Sequence, residues 1–440
     1  MVKRKFFRIA LLTLVTMLFM ACTAFFAACG SNGTSENSQE SEISGEDEEK
    51  EIPVTSIALD KTSLTLKIGE SETLTATVLP SDATDKTVTW MSAEPSVATV
   101  SGGTVTAVGC GTTTILVITE NAQVATCSVT VPDPYIDFSF TLVDDGYELT
   151  SYTGTDGEVT IPAGYNGKAV TAIGRRAFYN CSGLYCVTIP ASVTRIGEES
   201  FMGCESLTDV NITDLSSWCK ILFASYNANP LYYAHGNLDL WLNGEPVIDL
   251  VIPDDVTSIG EYTFSHCGSL TSVTIGDSVT NIGDKAFTGC SNLTSVNITD
   301  LSSWCRILFA SNSANPLYYA HNLCLNGELV TDLVFPDNVT GIEAYTFSDC
   351  ENLTSVTFGD GAMNIGANAF FDCGNLTSVT FGDGATNIGE YAFSHCGSLT
   401  NVTFGKGATN IGANAFSDCS SLTSVTIPDS VTSIGEAAFS

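Results

Sequence analysis

From Cys181 onward one phrase keeps returning, a phenylalanine three residues before a cysteine and a leucine three after it. It recurs at a spacing of 23 residues, at Cys181 and Cys204, at Cys267 and Cys290, and at Cys350, Cys373, Cys396 and Cys419. A unit of that length has too little apolar surface to fold alone. It must bury its apolar side against copies of itself, so the chain is read as a solenoid. Within one unit, Leu270, Val273 and Ile275 alternate with Thr271, Ser272 and Thr274, the period of a strand with one face inward. Gly276 and Asp277 turn the chain, Val279 and Ile282 return to the core, and Gly283 allows a close approach. Ala286 and Phe287 then fill the interior from a helical turn. The cysteines read as a ladder of buried, unbridged thiols, because equivalent side chains in stacked coils point the same way while a disulfide needs them to converge.

Two coils carry near-duplicate inserts. Asn211 to Cys219 recurs as Asn297 to Cys305, and Asn229 to His235 as Asn315 to His321. Asp214 and Asp300 read as helix N-caps. Leu215, Trp218, Cys219 and Leu222 then share one helical face by spacing. Asn243-Gly244 and Asn326-Gly327 sit between apolar runs, the sequence of a tight hairpin.

The N-terminus reads as an export signal over residues 1–28. Lys3, Arg4, Lys5 and Arg8 lead into an apolar run ending at Ala27-Ala28-Cys29-Gly30. Small residues before a cysteine resemble a bacterial lipobox, which would make Cys29 the lipid-bearing first residue. Cys22 is a second candidate, and an uncleaved anchor is the alternative, since the run is long enough to span a bilayer. Residues 29–52 hold eight acids between Glu36 and Glu51 against Lys50 alone, a self-repelling disordered spacer. With the four basic residues of the signal removed from 16, 12 Lys and Arg face 49 Asp and Glu, a net charge of −37. Nucleic acid is a poor partner for that surface.

Residues 53–131 change to short alternating runs separated by Gly, Pro, Asp and Ser, the pattern of an all-β sandwich. The residues Ile57 to Asp60, Gly69, Pro80 to Ala83, Val88 to Trp90, Pro95 to Val100, Gly111 and Val129 to Val131 resemble the group 2 bacterial Ig-like domain. The resemblance implies a surface spacer or occasional adhesion unit. A hairpin turning near Asn121 and Ala122 would pair Cys127 with Leu116 and leave Cys110 far along the ladder, so both cysteines are read as unbridged.

Residues 132–440 form the solenoid, opened by an atypical coil over Phe138 to Gly164 that caps the core. The repeat frame and its phenylalanines, Phe178, Phe201, Phe264, Phe287, Phe347, Phe370, Phe393, Phe416 and Phe439, resemble the BspA-like leucine-rich repeats of bacterial surface proteins. That resemblance implies a curved solenoid with one strand per coil on the concave face. The fold class is therefore mainly β, a leucine-rich-repeat solenoid preceded by an Ig-like β-sandwich. The stop at Ser440, midway through a repeat, reads as a truncated product.

No catalytic set, cofactor motif or metal set is expected. Metalloprotease, nucleophile-elbow and phosphate-loop motifs are missing. Ser217 and Lys220 have the spacing of a nucleophile pair, but the second insert has Arg306 in place of the lysine. His266 and His395 read as exposed turn residues, and His235 and His321 lack companion carboxylates. Asp360 and Asp383 stack between glycines, one carboxylate per coil, short of the six to eight oxygens calcium takes.

The resemblance implies a lipid-anchored surface protein, an adhesin or receptor for an extracellular protein or glycan, touching the membrane by its lipid only. The alternative is a structural or glycan-capturing part of a surface degradation system. Ice binding through stacked threonines is a remote third. The expected ligand face is the row of solvent-facing strand positions Thr354, Ser355, Thr357, Thr377, Ser378, Thr380, Thr400, Asn401, Thr403, Thr423, Ser424 and Thr426. Strand propensity alone would also explain these threonines. The competing site is the tyrosine pair of each insert, Tyr232 with Tyr233 and Tyr318 with Tyr319, which core packing would equally explain.

Overall fold

The computed structural model describes residues 50–234, 240–361 and 363–440. The export signal, Cys29, most of the acidic spacer and His235 lie outside the described residues. Backbone contacts divide the chain into two units, with the boundary after Pro132.

In the first unit, alternation builds the sheets that it promises. Ser63–Thr65, Val124–Val131, Gly111–Thr119 and Val88–Ser92 form one sheet, and Ser71–Thr73, Thr104–Ala107 and Ala98–Ser101 another. Their inward positions, among them Leu74, Val105, Ile115, Cys127 and Val129, make a separate core. Cys127 stands opposite Ile115, one residue from Leu116, and both it and the exposed Cys110 are free.

In the second unit the regular coils before residue 422 contribute two strands each, so a second stack of strands accompanies the one that the resemblance implied. The first is the L-T-S-V-T segment. It runs in parallel register through Asp332–Val334, Ser355–Thr357, Ser378–Thr380 and Asn401–Thr403, with Val356, Val379 and Val402 aligned inward. The second strand stacks as Gly341–Ile342, Met363–Ile365, Ala385–Ile388, Asn410–Ile411 and Ser433–Ile434, and the glycine of the Ile-Gly step follows all of these but the first. Its side chain at Gly389 would stand 2.6 Å from the Gly366 carbonyl carbon, so the coils close only around hydrogen.

The Ala-Phe segment is a turn without helix, because the residue before each Ala-Phe step has positive φ, as at Lys285 (φ 53), Asn368 (φ 56) and Asn414 (φ 53). The turn pairs with its neighbour instead. Phe347, Phe370 and Phe393 each donate their backbone N–H to the alanine carbonyl one coil on, at 2.7, 2.8 and 2.8 Å. Their rings stack 5.0 Å apart, at 9° and 3°. A second column, Phe335, Phe358, Phe381 and Phe404, stacks at 5.1, 5.0 and 5.1 Å and meets the first edge to face. That second column takes the place of the strand isoleucine and was not foreseen.

The repeat cysteines are buried, except Cys181, which is half-buried. Their thiols are more than small hydrophobes. Cys204, Cys373, Cys396 and Cys419 each donate to the carbonyl of the phenylalanine 26 residues earlier, at 3.2, 3.2, 3.3 and 3.2 Å. Each thiol therefore satisfies a carbonyl of the preceding coil in the core, where a lost partner is costly. Burial pushes the Cys419 thiol up to about 11, so it stays protonated and unreactive at neutral pH.

The opening hairpin, Phe138–Val143 against Gly146–Tyr152, covers the core's first end with aromatic rings. Phe140 stacks on Tyr165 at 4.4 Å, and Tyr152 sits 5.4 Å from Phe178, where the column begins. In the inserts, Asp214 and Asp300 cap as expected, accepting the Ser217 and Ser303 N–H at 2.7 Å each. The first helix, however, covers only Leu215–Cys219. Leu222 belongs to a strand beyond it and is 71% exposed, with Ile221 and Phe223 buried on either side. The expected helical face thus ends at Cys219, because pairing of Leu222–Phe223 with Arg195–Ile196 alternates the side chains. Trp218 and Trp304 fill the core and donate to the Thr263 and Thr346 carbonyls at 3.0 and 3.1 Å. Both Asn-Gly hairpins form, each with two residues of positive φ.

Candidate ligand-binding face

The strand rows of the C-terminal coils place Thr357, Thr380 and Thr403 directly opposite one another, one per coil. Ser355, Ser378 and Asn401 form the parallel row beside them. No charged residue stands in these three strands, although Asp332 precedes them in the serine row. Ser355 is turned toward that aspartate and donates to it at 2.5 Å.

The third row has a different role. Thr377 and Thr400 donate their hydroxyls to the carbonyls of Thr354 and Thr377, at 2.9 and 3.2 Å, and Thr354 donates to Thr331. The other strand row repeats the device, from Thr409 to Thr386 and from Thr432 to Thr409. These hydroxyl protons are spent holding adjacent coils together. Among the described residues, the hydroxyls of Thr357, Ser378, Thr380 and Thr403 are engaged in no such bond. Thr423, Ser424 and Thr426 are exposed but lie outside any strand, since the sheet ends at Asn401–Thr403. Of the twelve expected positions, Thr354, Thr377 and Thr400 form the bonded ladder, Ser355 is bonded to Asp332, and Thr357, Ser378, Thr380 and Thr403 make a smaller free hydroxyl face.

The insert tyrosines also divide. Tyr233 and Tyr319 pack against the core, and burial pushes the Tyr233 hydroxyl up to about 12. Tyr232 is half-buried in an aromatic group, 5.1 Å from Tyr226 and 5.2 Å from His266. Tyr318 alone of the four is exposed.

His395 is exposed as expected, but His266 is half-buried beneath Tyr232, and that burial lowers its pKa. Both histidines have positive φ, 64° and 63°. This explains why the position otherwise holds Gly, Asn or Asp, the residues that tolerate a left-handed turn. Ser217 and Lys220 are not a pair: Lys220 lies 3.6 Å from Asp255, and the Ser217 N–H caps to Asp214. The stacked turn aspartates each accept a backbone N–H from the next coil. Asp337 receives Asp360, Asp360 receives Asp383, and Asp383 receives Lys406, at 3.0, 2.9 and 2.9 Å. Sequence spacing revealed that they stack, but the carboxylate-to-amide ladder needed the neighbouring coil.

A BspA type leucine rich repeat region matches in six copies over residues 158–233, 242–323 and 319–440. A group 2 bacterial Ig-like domain matches residues 53–129. A leucine rich cell surface protein of Faecalibacterium prausnitzii A2-165 is 26% identical, with a TM-score of 0.41 over 69% of this chain and 90% of its own. A leucine-rich repeat protein of Bacteroides ovatus ATCC 8483 is 22% identical, with a TM-score of 0.38 over 68% and 89%. An Ig-like virion protein of Serratia phage KSP90 is 39% identical over 83 residues, which are 18% of this chain and 32% of that protein. The chain therefore spans about a third of that relative's length.

Proposed function

Since the chain belongs to the BspA-type leucine-rich repeat family, we propose that it is a bacterial cell-surface protein whose solenoid binds an extracellular protein or glycan without catalysing a reaction. The observation that carries this reading is the register of Thr357, Thr380 and Thr403, hydroxyls repeated once per coil and not consumed by hydrogen bonds among the described residues. Such groups donate and accept hydrogen bonds without the desolvation cost of burying charge, which suits a broad contact made of many weak ones. A passive structural or glycan-capturing role in a surface degradation system is the second reading, favoured by the exposed aromatic Tyr318.

Screening the purified chain against matrix-protein and glycan arrays tests the proposal. Thr380→Lys and Thr403→Glu should abolish capture of the ligand found, with the circular dichroism spectrum unchanged. Capture that survives both substitutions but disappears in Tyr318→Ala would place the site on the inserts.

The anchoring that we propose rests on the basic start, the apolar run and Ala27-Ala28-Cys29-Gly30. Among the described residues no helix is long and apolar enough to cross a membrane. Cys29→Ala should leave an unprocessed, larger precursor on fractionation. Equal processing of parent and variant would remove Cys29 from the reading.

A further inference from the structure

An open cavity of about 240 Å³ lies on the outward strand face of the first coils. It is formed where Glu158–Thr160, Cys186–Ile189, Asp209–Ile212 and Leu240–Leu242 run side by side, so that Glu158, Cys186 and Asp209 make one row and Thr188, Asn211 and Trp241 the next. Tyr185 and the Asn-Gly hairpin at Gly244 complete its lining. We propose that this cavity is a saccharide-binding site that takes one uncharged sugar ring of a longer glycan against Trp241. The proposal rests on the reading of the solenoid as a ligand-binding surface and names a second place and a chemical class for it.

The polar groups are held in place before any ligand arrives. The Trp241 indole N–H donates to Asp209 Oδ1 at 2.9 Å, which fixes the ring plane relative to the carboxylate. Asn211 donates to the Thr188 hydroxyl at 3.2 Å and accepts the Gly244 N–H at 3.1 Å, so its amide cannot swing away. Tyr185 is pinned against Gly157, where a side chain would stand 2.5 Å from the ring. The Glu158 carboxylate is exposed and carries no hydrogen bond among the described residues. Each carboxylate oxygen and the Asn211 amide keep spare capacity after these bonds.

The chemistry of the lining selects the occupant. A sugar ring has an apolar C–H face, which an indole covers, and a rim of hydroxyls that each donate and accept. Glu158 and Asp209 accept only, while Asn211, Thr188 and the Tyr185 hydroxyl both donate and accept, so the lining matches that rim. An ammonium or guanidinium offers donors alone and would leave the amide and hydroxyl acceptors and donors half used. The two carboxylates and the net charge of the chain repel sulfated or uronic glycans. The volume is below the roughly 300–1,000 Å³ of pockets that enclose a whole small ligand, which fits one ring of a chain.

The second insert supplies an internal comparison. There Asp249, Ser272 and Ser295 form the row that Glu158, Cys186 and Asp209 form in the first, and Thr274, Asn297 and Cys324 the next. The hairpin and the asparagine are kept, yet Thr271, Ser295 and Cys324 stand where the first copy has Tyr185, Asp209 and Trp241. The coil folds with either set. Tyr185, Asp209 and Trp241 of the first copy are therefore not demanded by the stack, while an acid at the Glu158 position is kept as Asp249.

The full exported chain should be titrated with neutral gluco-, manno- and galacto-configured oligosaccharides, with retardation in gels containing the matching polysaccharide as a second readout. At least one neutral series should bind, and Trp241→Cys, the side chain that the second copy tolerates, should weaken it at least tenfold with an unchanged far-ultraviolet spectrum. Glu158→Gln should weaken it less. A parent chain that binds no neutral oligosaccharide, or a Trp241→Cys variant that binds like the parent, overturns the proposal. So does a Lys- and Arg-rich peptide that binds in place of sugars and is lost in Glu158→Gln. Binding that Thr380→Lys destroys while Trp241→Cys leaves it intact overturns this site and leaves the hydroxyl-face reading standing.

Discussion

Phe370→Ala should lower the stability of the solenoid by about 3–5 kcal/mol, the cost of removing a fully buried aromatic ring. Phe370 is held on four sides. It stacks on Phe347 and Phe393 at 5.0 Å and meets Phe335 and Phe358 edge to face at 6.4 and 5.9 Å. The surrounding rings are themselves fixed by the next coils, so the cavity cannot collapse. Phe439 provides the comparison, because it stacks on Phe416 and is 37% exposed. Phe439→Ala should cost clearly less than Phe370→Ala, since more than a third of its area stays in water. Urea unfolding followed by circular dichroism reads both values. Equal costs for the two variants would show that the columns do not carry the core.

Gly389→Ala should destabilise by about 1–3 kcal/mol although it adds a single methyl group. The added carbon would stand 2.6 Å from the Gly366 carbonyl carbon and 2.7 Å from the Ala367 nitrogen. Both are backbone atoms of the preceding coil, which no rotamer change can move aside. Gly366 and Gly412 meet the same obstacle, so the column sets the distance between coils. Gly374→Ala is the control, because nothing lies within 4 Å of its added carbon. It should be neutral or slightly stabilising through the unfolded chain. The same unfolding curves decide the matter, and a Gly389→Ala chain as stable as Gly374→Ala would show that the coils can move apart at no cost.

Much of the architecture was legible in the repeat. Leu270, Val273, Ile275, Val279, Ile282 and Phe287 were read as inward and are buried, because one period repeated many times gives each residue type the same surroundings. The caps at Asp214 and Asp300 and the turns at Asn243 and Asn326 were legible too, since a few adjacent residues determine them. Leu222 shows the limit of that reasoning. Its spacing suited a helix, and the pairing of its segment with Arg195–Ile196 overrode the spacing.

The candidate sites were legible as residue types but not in their roles. Thr377 and Thr380 look alike in sequence, and only stacking makes the first a donor to Thr354 while leaving the second free. The thiol of Cys373 likewise finds the Phe347 carbonyl across the coil boundary.

By itself the sequence determined the period, the inward positions and the two-unit organisation, because these depend on spacing along one coil. Tertiary structure decided which hydroxyls are spent, which glycines are irreplaceable, and that Tyr185, Asp209 and Trp241 converge on one cavity. Those three residues belong to successive coils, 56 residues apart at the extremes. Contacts across the stack depend on register between coils, which hydrogen bonding sets and no local pattern encodes.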